Sequence, residues 1–169
     1  MRIVRALLAI AVLIVAGLAI VRETWTVERC NMQKRKAEAF LGSVEQIASD
    51  FDRERAALAA AERMERCVAE TPNDWQAHFL SGALYGVAGR TAIARTRYTA
   101  ALALEERPEI YIALSLLQFA NGEPEEGLKN AEKATGFNLE YANEFEPDLR
   151  AQLWHMAKER ERRLKGETQ

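Results

Sequence analysis

The sequence predicts an all-α fold in which one long apolar helix precedes a short stack of helix pairs. Ala, Leu, Glu, Arg and Lys dominate the composition, and only four prolines occur in 169 residues. No segment alternates β-branched and polar residues as a strand would. Apolar residues fill the first 21 positions almost completely and then recur at helical spacing. The formal net charge of −2 provides no global field that would favour nucleic acid as a partner.

The first element is the apolar run from Ala6 to Val21, which contains no charged residue. As a helix this run measures about 24 Å, and its apolar and snorkelling neighbours bring it to roughly the thickness of a bilayer core. Arg22 bounds the run. We therefore expect a transmembrane anchor over residues 1–22, in contact with the lipid bilayer through residues 3–21. The alternative is a cleaved secretory signal, for which Gly17-Leu18-Ala19 is a poor cleavage site.

The orientation of this anchor depends on the flanking basic residues. Arg2 and Arg5 before the run favour a cytoplasmic N-terminus and a domain on the far side. Lys34, Arg35 and Lys36 after the run favour the opposite orientation, because the rule counts Lys and Arg on both sides. The expectation is a single-pass inner-membrane protein of bacterial type whose helical domain lies in the periplasm.

A helical connector over residues 23–40 continues the anchor, since neither proline nor glycine interrupts the chain before Gly42. Helix-turn-helix units then follow over residues 41–142. In the unit from Trp75 to Pro108, small, aromatic and glycine positions recur at helical spacing, and the unit from Pro108 to Tyr141 repeats the plan with a second turn glycine. The residues predicted to build these helix crossings and turns are Gly82, Tyr85, Gly89, Ala94, Tyr98, Ala101 and Gly122.

This pattern resembles the tetratricopeptide repeat (TPR), a helix-turn-helix unit with small residues where its two helices cross. The resemblance covers about 100 residues. Gly89 and Gly122 would supply the left-handed turn after the first helix of each pair. A weaker unit from Leu41 to Asp74 has no turn glycine, and its turn is expected at Asp52-Arg53-Glu54-Arg55. About three TPR-like units are thus expected.

The last segment, residues 143–169, is predicted to form a capping helix with a basic tail. Terminal repeats need such a helix to cover an otherwise exposed core. From Pro147 to Leu164, apolar residues share one helical face. They are Leu149, Leu153, Met156 and Ala157. Trp154 lies off that face, either as a packing residue at the rim or as an exposed interaction residue.

The resemblance also implies where a partner binds, because the first helix of each TPR pair lines a concave groove that receives a peptide or helix. Carried over to this chain, the groove is apolar, which is unusual for a face left open to water. Its predicted residues are Phe79, Ala83, Val87, Ile112, Leu116 and Phe119. Either a partner protein or the chain's own C-terminal helix is expected to cover them.

The sequence shows no pattern that indicates catalysis, a cofactor or a metal ion. His78 and His155 are far apart and belong to no metal-ligand motif, and no glycine-rich phosphate loop follows a strand. Cys30 and Cys67 form no CxxC motif, so they are either small buried side chains or a disulfide pair in an oxidising compartment. We expect no catalytic residue, no cofactor and no metal site.

Two functions remain. The first is a non-catalytic scaffold for protein–protein interaction, acting as an accessory subunit of a membrane protein complex and binding its other subunits. The second is a membrane-anchored periplasmic TPR factor that handles client proteins during assembly. Only the second function requires a groove open enough to accept varied peptides. The short stack favours the first.

Overall fold

A computed structural model describes the backbone of residues 2–165, together with the side chains of residue 16 and residues 20–165. The described residues are helical and contain no strand, in agreement with the predicted all-α class. Two short 3-10 segments, Val44–Gln46 and Leu139–Glu144, interrupt the order of the α-helices. The α-helices are α1 (Arg2–Ser43), α2 (Asp50–Glu70), α3 (Trp75–Val87), α4 (Thr91–Leu104), α5 (Pro108–Ala120), α6 (Pro124–Phe137) and α7 (Pro147–Leu164).

The predicted membrane anchor is wrong. Within the part of the chain that the structure describes, no helix combines the length and the apolar character needed to cross a bilayer. A span needs about 20 consecutive apolar residues. This finding contradicts the anchor over residues 1–22 and the single-pass inner-membrane location with a periplasmic domain.

The bilayer contact predicted for residues 3–21 loses its basis with the anchor. It falls largely on side chains outside the described residues. The residues of the predicted helical connector lie in α1, which continues without a break from Arg2 to Ser43.

The second half of α1 packs against the helix stack. Cys30 and Ala37 are buried in the larger core cluster, which also contains residues of α2, α3, α4 and α5. Polar contacts flank this packing: the Lys34 ammonium is 2.8 Å from the Asp74 carboxylate, which in turn caps α3 by accepting from the backbone N–H of Gln76 at 3.0 Å. The C-terminal half of α1 is thus the first layer of the stack.

The predicted turn of the first unit is in the wrong place. The chain turns at residues 44–49, and the segment from Asp52 to Arg55 lies inside α2. The reason is the N-terminus of α2, where the Ser49 side chain accepts from the backbone N–H of Asp52 at 3.3 Å. Asp50 and Asp52 then occupy a first helical turn, where acidic side chains are favourable. Phe51, in the first turn of α2, is 70% exposed.

The two predicted helix pairs and their turns are present. Helices α3 and α4 form the first pair, and α5 and α6 form the second. Gly89 and Gly122 end the first helix of each pair with positive φ values of 67° and 76°, as predicted. The N–H of the following residue reaches back to the helix, from Arg90 to the Tyr85 carbonyl at 2.8 Å and from Glu123 to the Gln118 carbonyl at 2.9 Å. This bonding pattern satisfies carbonyls at the end of each helix.

The two pairs repeat with one constant step along the chain. The step from Trp75, where α3 begins, to Pro108, where α5 begins, equals the step from Thr91, where α4 begins, to Pro124, where α6 begins. Both helices of the second pair start with proline, which suits the first turn of a helix because the missing N–H would lack a partner there. Residues separated by this repeat step therefore occupy equivalent positions in the two pairs.

The C-terminal segment forms a second, smaller core with the second pair. Helix α7 begins and ends at the predicted residues, Pro147 and Leu164. Leu153 is buried and Leu149 half-buried, in agreement with the predicted apolar face. The buried members of this cluster are Ala131, Ala142, Phe145 and Leu153. The last residues of the predicted basic tail, 166–169, lie outside the described residues.

Candidate interaction surface

The crossing of α3 and α4 is built around Gly82. A methyl group at this position would lie 2.8 Å from two ring carbons of Tyr98 and 3.2 Å from the Ala94 carbonyl oxygen. Glycine therefore lets the two helix backbones approach, and the buried Tyr98 ring fills the space beside it. Burial raises the pKa of the Tyr98 hydroxyl above its usual range, because the phenolate would lose its hydration.

The crossing of α5 and α6 uses the equivalent positions differently. Ser115, the equivalent of Gly82, is fully buried and its hydroxyl donates to the Gly127 carbonyl at 2.7 Å. Gly127 is the equivalent of Ala94, and a methyl group there would lie 3.1 Å from the Phe119 ring. The second crossing thus joins two small residues by a hydrogen bond, where the first packs an aromatic ring on glycine.

The remaining residues predicted to be structural are buried in the first pair. Ala101 has no solvent exposure, and Tyr85 is almost fully buried. Burial, and after it the nearby Glu65 carboxylate, raise the pKa of Tyr85. Tyr98 and Ala101 lie one turn apart on α4, so one face of that helix supplies the packing for α3.

A polar network that the sequence did not reveal joins three helices. The Glu65 carboxylate on α2 accepts from the Ser81 hydroxyl on α3 at 2.6 Å and from Arg97 Nε on α4 at 2.8 Å. Arg97 Nη2 also donates to the second oxygen of Glu65, so the ion pair is bidentate. Since Ser81 is fully buried, this network satisfies its hydroxyl and fixes α2 against the first pair.

The predicted groove residues of α3 are occupied by internal packing. Phe79, Ala83 and Val87 are half-buried, and the first two pack against the larger core cluster. The Phe79 ring centroid lies 5.7 Å from that of Tyr98 and 6.3 Å from that of Trp75. Offset aromatic contacts of this kind stabilise the pair itself. Most of the apolar character predicted for the groove on α3 is therefore used within the fold.

The predicted groove residues of α5 differ in their exposure. Ile112 packs against the smaller core cluster and Phe119 is half-buried, whereas Leu116, one turn from each, is 46% exposed. These three positions share a helical face, since they are four and three residues apart. Leu116 is therefore an exposed leucine between two residues that the fold partly covers.

Helix α7 packs against α6 and the 3-10 segment Leu139–Glu144, and it runs in the same direction as α6. Near its start, Leu149 lines a shallow pocket with Pro124 and Leu128 of α6. Farther along, Arg160 Nη1 lies 3.8 Å from where a methyl group on Gly136 would stand. Between α6 and α7, the 3-10 segment returns the chain along the second pair. Ile112 thus packs against the smaller core cluster, whose buried members come mostly from the C-terminal segment.

The face that remains accessible surrounds the shallow pocket. It is lined by the apolar residues Phe119, Pro124, Leu128 and Leu149 and by the exposed polar residues Glu125 and Gln152. Leu116 lies one turn before Phe119 on α5. We call this set the α5–α7 surface; its apolar members are Leu116, Phe119, Pro124, Leu128 and Leu149. The sequence indicated the two α5 residues, but not that α6 and α7 would complete the surface.

Trp154 lies on another side of α7. Its side chain is 40% exposed and does not line the pocket. His155, next to it, is well exposed, and its Nδ1 atom is 3.9 Å from the Glu159 carboxylate. Both are surface residues of α7 outside the α5–α7 surface.

Within the described part of the chain, no group of three or more His, Cys, Asp and Glu side chains is placed to hold a metal ion. His78 is buried on α3, where its Nε2 atom is 3.0 Å from the Pro72 carbonyl oxygen. That contact links α3 to the loop before it and gives His78 a structural role.

No family model matches the chain. No curated protein matches it. The TPR resemblance therefore stays a prediction that rests on the residues themselves.

Proposed function

We propose that this protein is a non-catalytic scaffold of TPR-like helix pairs that binds another protein through the α5–α7 surface, as a stable subunit of a larger protein assembly. The constant repeat step, the small residues at both helix crossings and the two turn glycines support the TPR-like part. The observation that carries the binding part is the exposure of Leu116 one helical turn from Phe119 in the shallow apolar pocket.

An exposed leucine alone is ordinary, because much of any protein surface is apolar. Leu116 is different because it lies one helical turn from Phe119, which lines a shallow depression together with Pro124 and Leu128. A central apolar side chain next to a pocket, with polar residues around it, is the usual arrangement of a binding hot spot. Here Glu125 and Gln152 supply the polar residues.

The shape of the surface favours a protein partner over a small molecule. Small-molecule sites are enclosed clefts in which convergent polar groups fix the ligand. The pocket of the α5–α7 surface is shallow, and Glu125 is its one titratable lining residue among those described. A side chain from a partner helix or loop can fill such a depression without being enclosed.

The packing of Ile112 favours a fixed partner over many clients. A factor that handles varied polypeptides needs a long open groove, as in extended repeat solenoids. In this chain α3 uses Phe79 within its own pair, and Ile112 packs against the smaller core cluster. The accessible surface that remains is short, which suits one defined contact.

The test compares two substitutions at equally exposed positions. Leu116→Asp places a charge in the α5–α7 surface, whereas Ile93→Asp places one on α4, where isoleucine is 43% exposed and outside the pocket. Partners that copurify with the tagged full-length chain from its native cells are identified by cross-linking and mass spectrometry. Binding of the purified partner is then measured by calorimetry.

Leu116→Asp is expected to weaken binding by roughly thirtyfold, which corresponds to about 2 kcal/mol for a central apolar contact. Ile93→Asp is expected to leave the affinity unchanged. Circular dichroism and thermal unfolding verify that both variants fold. Equal affinities for wild type and Leu116→Asp, or equal losses in both variants, would contradict the proposed surface.

A further inference from the structure

We propose that Cys30 and Cys67 are a redox-sensitive pair whose disulfide fastens α1 covalently to α2. The two residues are distant in the chain and belong to different helices. Both are 2% exposed and both are unbonded cysteines in the structure. The proposal assigns them a shared role beyond filling the core.

The Glu70 carboxylate lies near both cysteines. Cys30 Sγ lies 3.7 Å from a carboxylate oxygen of Glu70. Cys67 precedes Glu70 by three residues on α2, and residues three apart share one face of a helix. The Cys30 thiol is close enough to Cys67 to raise the pKa of that thiol, and both residues belong to the larger core cluster. Each thiol therefore has the other as its nearest reactive partner.

An ion pair closes the site toward solvent. Arg29, the neighbour of Cys30, pairs with the same Glu70 carboxylate that Cys30 contacts. Both charged side chains are partly exposed, whereas both thiols are buried. An oxidant therefore reaches the thiols when the Arg29–Glu70 pair opens and α1 moves away from α2.

The chemistry is thiol–disulfide exchange with a low-molecular-weight disulfide as oxidant. The thiolate of one cysteine attacks the oxidant and releases one molecule of its thiol, forming a mixed disulfide. The second cysteine then attacks the protein sulfur of that mixed disulfide and releases the second thiol molecule. The two protein sulfurs lose two electrons and two protons in total, and the oxidant is reduced to two thiols.

The closed structure protects the thiols from this reaction. Burial, the Cys30 thiol and the Glu70 carboxylate raise the pKa of Cys67 to about 12, so almost no thiolate is present near neutral pH. In the opened state the thiol regains its ordinary pKa of about 8.5 and can react. The rate of oxidation should therefore report how often α1 leaves α2.

The experiment treats the folded full-length chain with oxidised glutathione and analyses it without reduction. The expected product is a monomer whose mass is lower by two hydrogen atoms. After protease digestion it should yield one disulfide-linked pair of peptides, one containing Cys30 and the other Cys67. Since the bond closes a long loop in the unfolded chain, Tm should rise by about 10 °C and return to its original value after reduction.

Three variants make the outcome decisive. Cys30→Ala and Cys67→Ala should each keep the fold and abolish the linked peptide, whereas Arg29→Ala should speed its formation several-fold by removing the ion pair that closes the site. Mixed disulfides that persist on each cysteine, dimers linked through them, or a linked peptide that forms only in urea would each overturn the proposal. So would an oxidation rate that Arg29→Ala leaves unchanged.

Discussion

The two helix pairs have the same backbone plan but different neighbours. The first pair, α3 and α4, packs against α1 and α2, so its core is part of the larger cluster. The second pair, α5 and α6, packs against the first pair on one side and the 3-10 segment and α7 on the other. At the helix crossings, Gly82 receives the Tyr98 ring in the first pair, whereas Ser115 bonds to the Gly127 carbonyl in the second.

This difference indicates how one repeated plan can serve two purposes. The first pair encloses its aromatic residues, since Phe79 and Tyr98 contact each other within the fold. The second pair has a smaller core, and its exposed Leu116 lies one turn from Phe119 in the shallow pocket, whereas the equally exposed Ile93 of the first pair lies outside it. The first pair is therefore expected to contribute mainly to stability, and the second to binding.

The largest expected effects come from one leucine in each core. Leu84→Ala and Leu153→Ala each remove a fully buried leucine side chain and should lower the free energy of unfolding by about 3 kcal/mol, through lost burial and the remaining cavity. The two variants should lose hydrogen-exchange protection in different parts of the chain. By hydrogen exchange, Leu153→Ala should reduce protection in residues 139–164, while Leu84→Ala should reduce it throughout α2, α3 and α4.

The control for this pair of variants is Leu164→Ala, at a position that is 83% exposed on the last turn of α7. Its free energy of unfolding should match that of the wild type within about 0.5 kcal/mol. Loss of protection over the same residues in Leu84→Ala and Leu153→Ala would show that the two cores unfold as one unit. That result would contradict the proposed difference between the two helix pairs.

The next effect tests the glycine at the first crossing. Gly82→Ala brings a methyl group within 2.8 Å of the buried Tyr98 ring, and the nearby Ala94 carbonyl limits relief by a helix shift. We expect a loss of about 2 kcal/mol, as is typical of overpacking. Gly86→Ala, one turn later on α3, meets no atom within 4 Å and should stabilise the protein by about 0.5–1 kcal/mol.

Urea unfolding of both glycine variants gives these values directly. The same helix carries both substitutions, so helix propensity alone predicts the same sign for both. A Gly82→Ala variant as stable as Gly86→Ala would mean that the first crossing tolerates a side chain. That outcome would contradict the proposal that the first crossing depends on close packing of an aromatic ring on glycine.

Local signals in the sequence were sufficient for much of the fold. Gly89 and Gly122 mark the turns because a left-handed residue there favours glycine, and Pro147 marks the start of α7 because proline suits the first helical turn. The turn before α2 was misplaced because it has no glycine or proline. Ser49 and Asp50 were its signal, a helix N-cap followed by an acidic first turn.

The candidate surface was harder to predict, because it depends on contacts between distant segments. Leu116 and Phe119 follow from helical spacing on α5, but the return of the chain that brings Leu149 beside Pro124 has no local sequence signature. The network of Glu65, Ser81 and Arg97 is equally non-local. For the apolar run in α1, hydropathy alone suggested a membrane anchor, which the structure contradicts.

Each helix pair contains a tyrosine whose raised pKa makes the stability of the protein depend on pH. Burial, followed by a hydrogen bond to Glu106, raises the pKa of Tyr111 on α5 to about 12, while burial alone raises that of Tyr98 on α4. A raised pKa in the folded state means that the unfolded chain loses its proton first. The contribution of these tyrosines to the free energy of unfolding is therefore fully present below about pH 10. It decreases as the pH rises toward 12.

The measurement is the free energy of unfolding between pH 8 and 12 for wild type, Tyr98→Phe and Tyr111→Phe. Each phenylalanine removes one titrating group, so the decrease above about pH 10 should become shallower in both variants. An unchanged slope in Tyr98→Phe would indicate that the first pair opens to solvent around this ring. That outcome would contradict its enclosed character.

The smallest effect concerns the hydrogen bond at the second crossing. Ser115→Ala removes the hydroxyl that donates to Gly127 at 2.7 Å. The Gly127 carbonyl lies inside α6, where it can still accept an intrahelical N–H, so it is not left without a partner. The loss should therefore stay near the low end for a buried hydrogen bond, about 0.5–1 kcal/mol by urea unfolding.

Ser115→Val serves as the matched comparison, because it removes the same hydroxyl and adds a methyl group at the crossing. If close approach of the backbones governs the second crossing as it does the first, Ser115→Val should cost at least about 1 kcal/mol more than Ser115→Ala. Equal losses in the two variants would indicate that the hydrogen bond alone matters at the second crossing. A small residue at the helix crossing would then be required in the first pair but not in the second.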